Sequence, residues 1–187
     1  MVAAASTMLP LGTLVPAFTL TNAMDGRRVS PSDFDAKPAL LVMFICNHCP
    51  YVVHVRDEIT RLARDYMPKG VAIIAINSNS AITHPQDGPE HMASLARERN
   101  WEFPFVFDET QAVARSFKAA CTPEFYVFDK QHRLAYRGQL DDSRPQDTKP
   151  VNGRDVRAAL DNVLAGRPVS AEQKPSVGCS IKWYPES

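Results

Sequence analysis

The chain has 187 residues, 44% of them hydrophobic and 22% charged, with 21 basic side chains balanced by 21 acidic ones. That length supports one domain with a sizeable core, and a formal net charge of zero gives no electrostatic footprint for nucleic acid or an anionic membrane surface. The longest apolar run, Ala39 to Ile45, is too short to cross a bilayer.

The amino terminus, MVAAASTMLPLGTLVPAF, carries small apolar residues without a basic n-region or a clear cleavage box, and reads as a cytoplasmic start. Residues 18 to 29 predict two short strands about an Asp25-Gly26 turn. Leu40 to Ile45 is a continuous apolar run, as a strand buried on both faces requires. Val52, Val55, Ile59, Leu62 and Tyr66 then recur at steps of three and four, with Arg56, Asp57, Arg61, Arg64 and Asp65 between them. The spacing predicts an amphipathic helix that Pro68 and Gly70 stop. Val71 to Ile76 is a second buried strand, and the β-α-β order makes the two strands parallel.

A long loop follows through Pro85 and Pro89. Beyond it the pattern predicts a helix over Glu90 to Arg99, a strand over Phe103 to Phe107 and a helix over Thr110 to Ala119. A hairpin of Phe125–Phe128 with Leu134–Tyr136 comes next, then a last helix marked by Val156, Leu160, Val163 and Leu164. Residues 169 to 187 show little periodicity, yet hold Cys179 and Trp183. The order is α/β, and sites in such sheets lie beyond the carboxyl ends of parallel strands. Cys46 to Cys49, with Asn47 and His48 between, and Asn77 at the end of the second strand both fall at that edge.

Four cysteines in a chain of this length do not make a disulfide scaffold; in a reducing compartment they are catalytic, metal-binding or buried. Cys46 and Cys49 in FICNHCPYV have the spacing of a redox pair, a zinc half-site or two inert thiols. Zinc needs two further ligands, and no second C-x-x-C or H-x3-H supplies them, so neither metal nor organic cofactor is expected. Pro50 suits the first helical turn, which places Cys49 at the helix N-terminus against unpaired N–H groups and the positive end of the macrodipole. A thiolate is stabilised there, so Cys49 is the expected nucleophile, and a protonated His48 would act in the same sense. Cys46, one loop earlier, is the expected resolving thiol.

The segments VPAFTLTNAMDGRRVSPSDFDAKPALLVMF, CNHCPYV, TPEFYVFD, YRGQLDDSRP and GCSIKW together resemble the thioredoxin-like superfamily, in its redoxin or peroxiredoxin-like branch. The resemblance implies a thioredoxin-like α/β fold: a mixed central sheet flanked by helices, with an N-terminal hairpin, a helical insertion and a C-terminal tail. It covers one domain over 1–187, with a core of about 12–166 and an extension over 167–187. In thioredoxins the attacking cysteine follows a strand-ending Phe by five residues, as Cys49 follows Phe44. The family's second cysteine would fall at Val52, however, so Cys46 must approach from the loop side. Thr122-Pro123 resembles the family's cis-proline segment, whose backbone faces the active cysteine and holds an extended substrate.

The peroxidase motif of peroxiredoxins, Pro-x-x-x-Thr/Ser-x-x-Cys, is absent around both Cys46 and Cys49. Asp142 and Arg144, in DDSRP, are candidates for tuning a thiolate, against a charged turn closed by its own ion pair. Cys121 and Cys179 are candidate additional thiols, the latter if the tail folds over the cleft. The expectation is a cytoplasmic thiol–disulfide oxidoreductase. Its partners would be a protein or small-molecule disulfide and a thiol reductant system, with no nucleic acid and no membrane. A thiol peroxidase and a redox-silent or metal-binding module are the alternatives.

Overall fold

The computed structural model describes residues 3–185. Its strands are β1 (Ala3–Ala5), β2 (Leu20–Asn22), β3 (Arg28–Val29), β4 (Ala39–Phe44), β5 (Val71–Asn77), β6 (Phe105–Phe107), β7 (Cys121–Thr122), β8 (Glu124–Asp129), β9 (Leu134–Gly138) and β10 (Val177–Ser180). Its helices are α1 (Pro50–Tyr66), α2 (Pro89–Glu98), α3 (Ala112–Ser116) and α4 (Arg154–Leu164). Seven strands form a mixed sheet in the order β3-β2-β6-β5-β4-β8-β9. β4, β5 and β6 are parallel, while β8 and β9 run antiparallel beside β4. This is the thioredoxin-like α/β architecture that the sequence resemblance implies.

The two central strands are buried along their whole length because both faces of the sheet are covered. Leu41 and Met43 of β4 and Ile73 and Ala75 of β5 point to one face. There they meet Val52, Val55, Ile59 and Leu62 of α1, Met92 and Leu95 of α2, and Val156 and Leu160 of α4. Leu40, Val42, Phe44, Ile74 and Ile76 point the other way, onto Val113 and Ala114 of α3 and the ring of Phe117. The period of two along each strand thus builds two cores, one per face.

α1 is anchored to α4 by more than apolar contact. Glu58, only 2% exposed, accepts from Arg157 Nε at 2.6 Å and from Arg61 Nε at 2.8 Å. Replacing Glu58 with Ala should destabilise the fold by about 1–3 kcal/mol, since both arginines can turn to water and recover part of the loss. Equilibrium urea unfolding checks this, and an unchanged midpoint would show that apolar packing alone holds α1.

A second, smaller sheet has the order β1-β10-β7. No periodicity marks residues 169–187 in the sequence, yet the chain there forms β10 between the amino-terminal strand and the two-residue β7. Cys179 stands opposite both Ala3 and Thr122 in the antiparallel register. Gly178 permits the approach: a Cβ at that position would lie 2.0 Å from the Thr122 carbonyl oxygen. Other predicted elements shift at their edges. α3 shrinks to five residues, because Gln111 and Lys118 both adopt positive φ. No helix among the described residues is long and apolar enough to cross a membrane.

Candidate active site

β4 ends at Phe44, and the chain turns through Ile45 to His48 before α1 begins. Cys49 is the N-cap residue of α1 and Pro50 its first helical residue; the Val52 N–H donates to the Cys49 carbonyl at 2.9 Å and also acts on the Cys49 sulfur. The Thr122–Pro123 peptide is cis, as the resemblance implied, and presents the Thr122 carbonyl to the same sulfur. As a thiol, Cys49 donates to that oxygen at 3.3 Å.

As a thiolate, Cys49 is surrounded by donors. The Cys46 thiol is the strongest influence, followed by the Cys179 thiol and the N–H groups of Val52 and Cys179. Together they outweigh burial and hold the Cys49 pKa down at about 5. The other three thiols move the opposite way. Burial, the hydrogen bond given to Cys49 and the charge on Asp87 push Cys46 well above the ordinary thiol range. Burial and the Cys49 charge push Cys179 up to about 12. Burial and the nearby Glu124 carboxyl push Cys121 up as well. The site therefore holds one ionised sulfur between two protonated ones.

Cys46, Cys49 and Cys179 are all buried within the α1 face of the sheet. Cys46 also lies 3.4 Å from the Thr122 hydroxyl. Cys121 has turned away: its thiol faces the Pro123 carbonyl, Glu124 and the Ser176 carbonyl. It does not stand in line to exchange with Cys49.

The loop itself is organised by Asp87, a fully buried carboxylate between Pro85 and Pro89. Its Oδ1 accepts from the backbone N–H groups of Asn47 at 2.8 Å and His48 at 3.2 Å. Its Oδ2 accepts from His48 Nδ1 at 2.5 Å and Asn79 Nδ2 at 2.8 Å. His48 stacks on His84 with ring centroids 4.8 Å apart. Asn77 serves the same loop, donating to the Asp87 carbonyl at 2.8 Å and accepting from the Asn79 N–H at 3.0 Å. Asn47 and His48, proposed from the sequence with Asn77 as substrate-binding residues at the carboxyl edge of the sheet, are braced with it by this turn. Asp87 was not anticipated, although an acidic residue in a Pro-Gly loop at the carboxyl edge of β5 was the available signal.

Cys46 Sγ, a His48 ring nitrogen and an Asp87 oxygen lie within 4.8 Å of one another, the spacing of a potential metal cluster. Both Asp87 oxygens already accept two hydrogen bonds each, Oδ1 from the loop backbone and Oδ2 from the His48 and Asn79 side chains, so the carboxylate is committed to holding the loop. Asp87→Ala is expected to leave the Asn47 and His48 N–H groups unpaired and to cost about 2–3 kcal/mol. Thermal unfolding measures the loss; a variant as stable as the parent would mean that water substitutes for the carboxylate.

Asp142 and Arg144 do not pair with each other. Asp142 binds Gln139, Lys174 and Arg154, and Arg144 binds the Asp141 and Ser143 carbonyls and the Gln139 side chain. Among the described residues none of their hydrogen bonds reaches a cysteine. They close the turn that leads to α4, which His54 ties to α1 through Ser143 at 3.1 Å. The largest departure from expectation concerns Thr122. Its backbone edge, where the resemblance implied an extended substrate, is occupied by the chain's own β10.

Comparison with known proteins agrees with this architecture. The chain aligns over 100% of its length with 99% of an uncharacterized conserved protein from Geobacillus kaustophilus, at 55% identity and a TM-score of 0.97. It aligns over 97% of its length with 99% of a hypothetical protein from Sinorhizobium meliloti 1021, at 42% identity and a TM-score of 0.95. It is similar in fold to the thioredoxin domain of a thiol-disulfide oxidoreductase from Bacteroides vulgatus, at 18% identity, 82% coverage of this chain, 99% of that one and a TM-score of 0.64. Among curated proteins none matches. The Redoxin family model matches residues 10–153, most of the 187, and the chain belongs to the Redoxin family.

Proposed function

We propose that the protein is a thiol–disulfide oxidoreductase in which Cys49 attacks a disulfide sulfur on a partner. The observation that carries this reading is the placement of Cys49. It is the N-cap of α1, opposite the cis Thr122–Pro123 peptide, with two thiols and two N–H groups directed at its sulfur. A thiolate so held is largely ionised at neutral pH while its neighbours keep their protons, which separates the attacking sulfur from the sulfur that follows. Attack forms a mixed disulfide with the partner and expels the partner's other thiolate. Cys46 and Cys179 flank the new bond, and either would complete exchange by displacing the second partner sulfur. Electrons return from a thiol reductant, and the cycle suits a reducing compartment such as the cytoplasm.

The peroxidase alternative lacks support from this geometry. The Thr122 hydroxyl pairs with Cys46, and the guanidinium of Arg56 is directed to the Asn47 carbonyl, so neither is aimed at Cys49. The test compares two substrates under one reductant: a protein disulfide and hydrogen peroxide. Faster turnover of the disulfide is expected. Peroxide consumption at the higher rate, with Cys49 sulfenate accumulating, would replace this reading with a peroxidase.

A further inference from the structure

Cys49 is completely buried, and the cover is β10. This strand lies along Thr122 in antiparallel register, close enough that only glycine fits at position 178. It therefore fills the edge that a substrate strand would use, and places a cysteine there. The Cys179 thiol and its backbone N–H both reach the Cys49 sulfur.

The surroundings of the two candidate resolving sulfurs differ. The Cys46 sulfur faces the Asp87 carboxylate, and Asp87 is fixed in place by four hydrogen bonds. The Cys179 sulfur receives the Tyr51 N–H from the first turn of α1 and feels the Lys182 ammonium. Burial and Cys49 oppose a negative charge on both sulfurs; Asp87 adds to that opposition at the first, whereas the Tyr51 N–H and Lys182 offset part of it at the second. Their settings differ too: Cys46 lies in the turn between β4 and α1, whereas Cys179 sits in a four-residue strand that pairs with three residues of β1 and two of β7 and is tied at its ends through Ser176 and Lys182.

We propose that β10 is a tethered occupant of the substrate groove and that Cys179 is the resolving thiol, closing a Cys49–Cys179 disulfide within the chain. This rests on the exchange activity proposed above. In the first step β10 swings aside, the Cys49 thiolate attacks an incoming disulfide, and one substrate thiolate leaves. In the second, Cys179 returns to the groove, loses its proton to solvent and attacks the Cys49 sulfur, expelling the other substrate thiolate. Two electrons pass from the two cysteine thiols to the substrate, which departs as two thiols. Cys46 keeps its proton throughout the attack and acts as a hydrogen-bond donor to Cys49.

The test uses oxidised glutathione as the disulfide, followed by thiol blocking, trypsin and mass spectrometry of the whole chain. Cys46 and Cys49 leave trypsin in one peptide and Cys179 in another. A Cys49–Cys179 link appears as a cross-linked pair, and a Cys46–Cys49 link as a loss of two hydrogens from a single peptide. The cross-linked pair is expected in the parent protein and in Cys46→Ser. In Cys179→Ser, Cys49 should remain glutathionylated at least about ten times longer, on the scale that loss of a positioned nucleophile imposes. A Cys46–Cys49 link that survives Cys179→Ser, with no cross-linked pair in the parent, overturns the proposal and leaves the exchange activity standing. Cys49 carrying neither glutathione nor any disulfide in every variant overturns both.

Discussion

Replacing Cys49 with Ser is expected to lower the rate of protein-disulfide reduction by at least about a thousandfold, the scale seen when an acting nucleophile is removed. A hydroxyl in place of the thiol still fits the N-cap and still reaches the Thr122 carbonyl, so the fold should survive and the loss should be chemical. The oxygen stays protonated at neutral pH and forms no disulfide, so no mixed intermediate should be trapped. Near-UV circular dichroism and the melting temperature verify the fold, and reductant-coupled turnover measures the loss. Retained turnover in Cys49→Ser together with inactivity of Cys46→Ser would reassign the nucleophile.

Cys46→Ala should act on the same sulfur without touching substrate. The hydrogen bond from Cys46 is the largest influence holding Cys49 down at about 5. Removing it should raise the Cys49 pKa by about one unit or more, whereas Cys46→Ser keeps a donor and should move it much less. The rate of Cys49 alkylation against pH reads this directly: the midpoint of the alanine variant lies about one unit or more above the parent's. The same depression has a thermodynamic face. An ordinary thiol ionises near 9.0 and Cys49 near 5, so the stabilisation from its thiolate is fully present above 9 and disappears as the pH falls through 5. A Cys46→Ala profile superimposable on the parent's would move the credit for the low pKa to the helix terminus and Cys179.

Much of this arrangement could be read from residues close together in the chain. The apolar run of β4, the stepped pattern of α1 and the Pro50 that fixes its start place Cys49 at a helix N-terminus without any tertiary information. The Phe44-to-Cys49 step and Thr122-Pro123 then carry the likeness to thioredoxins. What remained hidden depends on pairings across the whole chain. Ala3–Ala5 has little strand propensity, and Val177–Ser180 is four residues long with a glycine inside, so neither announces a strand. β1 exists because β10 pairs with it from more than a hundred residues away, and β10 because it is paired with β1 on one side and β7 on the other. Asp87 was hidden for a related reason. Its role is set by the Asn47 and His48 N–H groups, roughly forty positions earlier, and an acidic residue in a loop ordinarily faces water. Asp142 and Arg144, adjacent enough to suggest a pair, instead meet through the Gln139 side chain, with Asp142 also bound by Arg154 at the start of α4.

The position of β10 after the other described elements also sets the order in which the site is completed during synthesis. Cys49 and its helix emerge early, but the strand that covers them is made more than a hundred residues later. At ordinary translation rates that interval lasts on the order of ten seconds. Throughout it the nascent chain carries Cys46 and Cys49 without their lid and without the Cys179 donors, open to whatever oxidants the ribosome's surroundings contain. Closure of the small sheet therefore waits for β10, and it joins two strands made more than a hundred residues apart.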